Sequence, residues 1–170
     1  MKCYLCGKKA EIKKQKNRYV CKKCFCWLFE KRIRKQTRTD KSFRVNDKVF
    51  VVGDVAKYLV KSITKNMNIQ FVSKNFDKKL IEWTLDDELN QFVKEMFEGK
   101  PHKKEKKRLV KILKNVTDKK VKLFAKIKKL NFKPNKKDKV TQKFLDDVQA
   151  RFPNAKYNLL KNISELREIQ

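Results

Sequence analysis

The sequence predicts an α/β fold with a small cysteine-built appendage at its amino end, and three observations carry that expectation. Four cysteines stand as two close pairs within the first 24 residues. Short apolar runs suited to buried strands alternate with stretches whose apolar residues recur at helical spacing. At 170 residues the chain has room for one domain and an appendage, but not for two full domains.

Taken in order, Ala10 to Val20 alternates enough for a small hairpin between the cysteine pairs. Phe25, Leu28, Phe29 and Ile33 then repeat as one face of a helix. Asp47 to Val52 is an apolar run before Gly53-Asp54 and reads as a buried strand. Val55, Tyr58, Leu59 and Ile63 make the next helix, and Ile69 to Val72 a second strand. Thr84 caps a helix striped by Leu85, Leu89, Phe92, Val93 and Met96. A basic loop spans Lys100 to Arg108. Thr117 caps a helix bearing Val121, Phe124, Ile127 and Leu130. Another starts at Asp138 or Thr141, carries Val140, Phe144, Val148 and Phe152, and stops at Pro153. Tyr157 to Leu160 reads as a short helical segment. These stripes are core and imply no function.

Cys3-x2-Cys6 and Cys21-x2-Cys24, 14 residues apart, have the spacing of a two-knuckle metal site. Each knuckle turns two thiolates toward one point, and Gly7 supplies the positive φ that such a turn requires. Lys8, Lys9, Lys22 and Lys23 favour the thiolate form. Four thiolates around zinc make a closed, structural site, contributing on the order of 10 kcal/mol to folding an appendage without its own core. An iron–sulfur cluster and a redox dithiol pair are the other uses open to four such thiols. Cys26, beside Trp27, reads as a core thiol outside the ligand set.

Charge points to the partner. Lys and Arg number 47 against 19 Asp and Glu, a net +28, which exceeds what solubility needs and attracts polyanions, nucleic acid above all. The excess lies at both ends: 16 cations against three acids in residues 1–44, and 19 against three in residues 100–143. Two walls of an RNA groove follow, Arg32, Arg34 and Lys35 on one side and Lys103, Lys104, Lys106, Lys107 and Arg108 on the other. No apolar stretch approaches the roughly 20 residues of a membrane span, and no cysteine follows residue 26. The expectation is a cytoplasmic protein with no membrane contact.

The order of motifs resembles the tRNA uridine 2-thiolation branch of the PP-loop ATPases, the wobble-uridine thiolases and TtuA-type enzymes. The resemblance rests on the cysteine knuckles followed by Phe25 and Phe29-Glu30-Lys31-Arg32, and on Asp47-Lys48-Val49 opening a strand. It continues in Leu85-Asp86-Asp87-Glu88 opening a helix and in the helix Lys120 to Leu130. It closes on Pro153-Asn154-Ala155-Lys156-Tyr157-Asn158-Leu159-Leu160. It implies a reduced PP-loop-like parallel sheet with helices after the knuckle: residues 1–26 as zinc knuckle, 27–99 as α/β core, 100–170 as a basic helical part of the same domain.

Against that family, Val52-Gly53-Asp54-Val55-Ala56 stands where a glycine–serine phosphate loop belongs, and the family's downstream cysteines have no counterpart. The resemblance therefore implies a pseudoenzyme that binds a structural zinc ion, with no ATP and no iron–sulfur cluster. The expected role is a non-catalytic partner subunit of a tRNA wobble-uridine thiolation complex, paired with an active PP-loop thiolase and supplying tRNA-binding surface. The alternative is a stand-alone zinc-knuckle RNA-binding protein, for instance ribosome-associated.

Overall fold

Ile12 and Val20 pair across an antiparallel hairpin of β1 (Ile12–Gln15) and β2 (Arg18–Val20), where the alternation of Ala10 to Val20 expects one. The computed structural model describes residues 1–15, 18–100 and 108–169. α1 (Lys22–Thr39) leaves the hairpin with Cys21 as its N-cap and buries Cys26, Phe29 and Ile33 on one face.

Four parallel strands follow: β3 (Lys48–Val51), β4 (Gln70–Phe71), β5 (Lys78–Thr84) and β6 (Leu109–Leu113), in the order β4-β3-β5-β6. α2 (Asp54–Ile63) leads from β3 outward to β4, and α3 (Leu85–Phe97) leads from β5 outward to β6 on the other side. The direction of connection reverses between β3 and β5, so a crevice opens outside their carboxyl ends. α4 (Asp118–Lys128), α5 (Lys139–Arg151) and α6 (Ala155–Ile169) complete the chain.

Four sequence expectations need correction. β5 and β6 are strands that the sequence hides, because their lysines read as surface. Lys78 Nζ instead lies 2.8 Å from both the Asp47 carboxylate and the Ser42 carbonyl, and Lys111 Nζ lies 2.7 Å from Glu88. α6 is a full helix of 15 residues rather than a short segment. Met96, at the end of the α3 stripe, is exposed rather than core. In α5 the buried residues are Thr141 and Leu145, whereas Val140, Phe144 and Phe152 are exposed. Asn90 sets that rotation: its amide donates to the Asp138 carbonyl at 3.0 Å and its Oδ1 accepts from the Asp138 N–H at 3.0 Å. Asp138, not Thr141, is the cap, accepting from the Thr141 N–H at 2.9 Å.

The main core joins α1, α2, the sheet and α4, with the rings of Phe29 and Phe124 stacked 4.2 Å apart. A second, smaller core lies between α3, α5 and α6 around Leu89, Leu145 and Ile163.

Between the two cores runs a polar seam. Thr84 and Asp87 form a capping box at the start of α3, and Asp86, Asp87 and Glu88 are all buried. Each carboxylate meets a lysine from later in the chain: Asp86 with Lys156 (2.7 Å), Asp87 with Lys137 (2.6 Å), Glu88 with Lys111 (2.7 Å). Asp118 shares Lys137 at 2.8 Å and accepts from the Thr84 hydroxyl at 2.7 Å. Asp86 also accepts from the Asp118 N–H at 2.8 Å, and Lys156 reaches Asp146 at 2.6 Å.

Lys156→Ala should therefore cost about 3–5 kcal/mol in denaturant unfolding, because it strands the Asp86 charge without its cation. Adding Asp86→Asn to Lys156→Met should recover most of that loss. A cost for Lys156→Ala no larger than that of Lys161→Ala, on the exposed side of α6, would contradict this account.

Candidate metal centre and RNA interface

The first knuckle is a turn closed by the Gly7 N–H on the Cys3 carbonyl at 2.8 Å, with Gly7 at φ +70°. The second is the first turn of α1: the Cys21 sulfur accepts from the Cys24 N–H at 3.4 Å, and the Cys21 carbonyl accepts from the Phe25 N–H at 2.9 Å. The positive end of the helix dipole thus faces the second thiol pair. Cys3, Ala10 and Val20 are buried beneath the knuckle in a small cluster of their own.

The four sulfurs of Cys3, Cys6, Cys21 and Cys24 lie within 4.8 Å of one another, and those of Cys6 and Cys21 are 3.7 Å apart. A single tetrahedral ion held 2.3 Å from each sulfur spaces them by about 3.8 Å, so the cluster has the dimensions of a tetrathiolate site. Its protons are unevenly shared. Burial opposes the Cys3 thiolate, but backbone hydrogen bonds from Cys21, Leu5 and Cys6 bring its pKa down to about 6. The hydrogen bond with Cys6, reinforced by burial, pushes Cys24 up to about 12. Four thiolates so close cannot all ionise without a cation between them, and a metal ion supplies it. Cys26 is outside this group, packed in the main core, and burial raises its pKa.

The basic residues divide. Arg32 and Lys35 line a cavity bounded by β2, α1 and the turn after β6, which Arg34 does not line. Arg108 is exposed directly before β6. Its neighbours Leu109 and Val110 share a second cavity of about 380 Å³ with Gln36 and Thr37, so α1 and the start of β6 border one groove. Lys103, Lys104, Lys106 and Lys107 lie outside the described residues.

In the crevice outside β3 and β5, Gly53 precedes α2 at φ +102°. The carboxylate on the amino end of α2 is that of Glu82 from β5, which accepts from the Ala56 N–H at 2.9 Å. A Cβ on Gly53 would overlap the Glu82 side chain. Burial raises the Glu82 pKa, and the amides of Ala56 and Val55 offset part of that rise. Asp54, the acid that the sequence places here, instead accepts from the Asn131 amide at 3.0 Å. No local pattern announces Glu82, because the strand pairing of β3 with β5 is what delivers it.

No protein-family model matches the chain, and no curated protein sequence matches it. Among solved structures it is similar to the U34-tRNA thiolase NcsA from Methanococcus maripaludis with its 4Fe–4S cluster. The TM-score is 0.78 and the identity 18%, over 99% of this chain and 87% of that one. The chain has the fold of that thiolase. No helix among the described residues is long and apolar enough to cross a membrane.

Two expectations fall with this finding. A pseudoenzyme was expected from the missing glycine–serine loop, yet the fold that spans 99% of the chain is that of an enzyme, so the loop alone is no ground for excluding activity. The exclusion of an iron–sulfur cluster fails as well. The thiolase carries an iron–sulfur cluster, and the four gathered thiols here suit either a cluster or a single ion.

Metal analysis of the purified chain, together with acid-labile sulfide and the visible spectrum, should find either one ion or one cluster per chain. Cys6→Ser should lower that content severalfold, and Cys26→Ser should leave it unchanged. Full metal content in Cys6→Ser would take the ligand role away from these four residues.

Proposed function

We propose that this protein binds tRNA as part of wobble-uridine thiolation, as a subunit that assembles with a PP-loop thiolase. The observation that carries the reading is the fold: nearly the whole chain superposes on a protein named for acting on position 34 of tRNA. The net +28 supports it independently, since an RNA partner is a polyanion. In this reading the knuckle (1–26), the α/β core (27–99) and the basic part (100–170) meet the RNA as one body. Cys3, Cys6, Cys21 and Cys24 hold the metal that keeps the knuckle folded. Arg32, Arg34 and Lys35 grip phosphates from α1, and Lys103, Lys104, Lys106, Lys107 and Arg108 grip them from the segment before β6. Such contacts set affinity and position rather than sequence choice.

Binding of total tRNA across a salt series tests the grip. Neutralising Lys104, Lys107 and Arg108 together should weaken binding and lower the salt slope by about two to three units, because each phosphate contact contributes about 0.7 to 0.9. Neutralising the exposed Lys57, Lys61 and Lys65 should do much less. Equal losses from both triple variants would reduce the charge to a general background. For the assignment to thiolation, native capture of the chain should bring down a PP-loop thiolase. Unchanged thiouridine content in cells lacking the chain would remove that assignment while leaving RNA binding intact.

A further inference from the structure

The cavity that Arg32 and Lys35 line has a volume of about 610 Å³, within the range of sites that take small organic ligands. It lies beside β6, at the sheet edge, away from the β3–β5 crevice. Its walls have two chemistries. Val20, Phe25, Leu28 and Val116 form an apolar side, and five cations, Lys14, Lys31, Arg32, Lys35 and Lys120, stand on its lining with one acid, Asp40. The Asp40 carboxylate is engaged 2.9 Å from Lys114. Among the described residues, none of the five cations has a carboxylate within ion-pair distance.

Two of those cations are fixed in place. Tyr157 accepts from Lys120 Nζ at 2.8 Å and from Arg32 Nη1 at 3.1 Å, and both cations lie about 5 Å from the centre of its ring. Arg32 also reaches the Asn115 carbonyl at 3.4 Å. Like charges held on one phenol repel, and an anion placed between them relieves that repulsion. Gln36 adds the third element. It lines the cavity and is 93% buried by its 7% exposure, and its Oε1 has no hydrogen-bond partner. A buried carbonyl left so costs on the order of 1–3 kcal/mol, which a ligand donor would recover after a small turn of the side chain.

An apolar wall, a hydrogen-bonding carboxamide and fixed cations match a flat heterocycle joined to a phosphate. We propose that this cavity receives one unstacked nucleotide of the bound RNA, its base against Phe25, Leu28 and Val116 within reach of Gln36, its phosphates on Arg32, Lys35 and Lys120. Base-in-cavity contact of this kind adds affinity that does not depend on salt, whereas phosphate contact is salt-dependent. The inference rests on the RNA-binding reading above, and the experiment separates the two.

The full metal-loaded chain is titrated with a single-stranded 12-nucleotide RNA and with a 12-unit abasic strand of the same phosphate count. Binding to both strands, with the base-bearing one on the order of tenfold tighter and the two salt slopes equal, is the expected result. Gln36→Leu and, separately, Leu28→Trp, which fills the space without removing a charge, should shrink that preference to about twofold. Both should keep the affinity for the abasic strand. Gln36→Leu removes a buried unpartnered carbonyl oxygen, so its thermal unfolding should be no lower than that of the parent chain. Equal affinity of the parent for both strands, or a preference that survives both variants, would overturn the cavity while leaving RNA binding standing. Failure to bind either strand would instead overturn the RNA reading. Competition by a nucleoside monophosphate at the parent cavity, with no preference for bases in the strand, would assign the site to a free nucleotide and overturn the RNA-linked form.

Discussion

Three consecutive carboxylates at the start of α3 hold the later half of the chain in place. Asp86, Asp87 and Glu88 occupy the first turn of the helix, where the macrodipole favours negative charge, and the Thr84 capping box fixes their directions. Each then fastens a different segment: Lys111 from β6, Lys137 from the stretch before α5, and Lys156 from α6. Buried pairs of this kind are weak sources of net stability, but breaking one is costly, so they select one arrangement of helices over others. The smaller core between α3, α5 and α6 sits beside these pairs, so the helices that form it are fastened at the same places.

The same pairs shape the outside of the molecule. Acids are scarce, 19 in all, and several of them are spent on lysines inside the fold. Each internal pair removes a lysine together with an acid, so the net +28 is carried by surface lysines with few acids beside them. Fold stability and polyanion attraction thus draw on one allocation of charge.

What the sequence reveals follows from how local each feature is. The gathering of four cysteines is legible, since two short spacings and a glycine bring it about, though not which metal or cluster they suit, and Thr84 with the α3 stripe as far as Val93 is legible for the same reason. β5 and β6 are not, because Lys78 and Lys111 look like surface residues until Asp47 and Glu88 are brought to them from distant positions. The α5 face misleads: Val140, Phe144 and Phe152 spell an apolar stripe, but the Asn90–Asp138 pairing turns Thr141 and Leu145 inward. Glu82 on the α2 amides and the Arg32–Lys120–Tyr157 group are products of tertiary packing, and no window of sequence contains them.

Cys21 and Cys24 lie on the opening turn of the very helix that carries Phe25, Leu28, Arg32 and Gln36 down one side of the large cavity. The thiol cluster and the cavity therefore share a backbone and meet at the adjacent residues Cys24 and Phe25. The first turn of the helix, where these sulfurs sit, is continuous with the turns that form one wall of the cavity. That wall is thus only as firm as the thiol cluster at its head, although no cysteine stands among the residues that line the cavity.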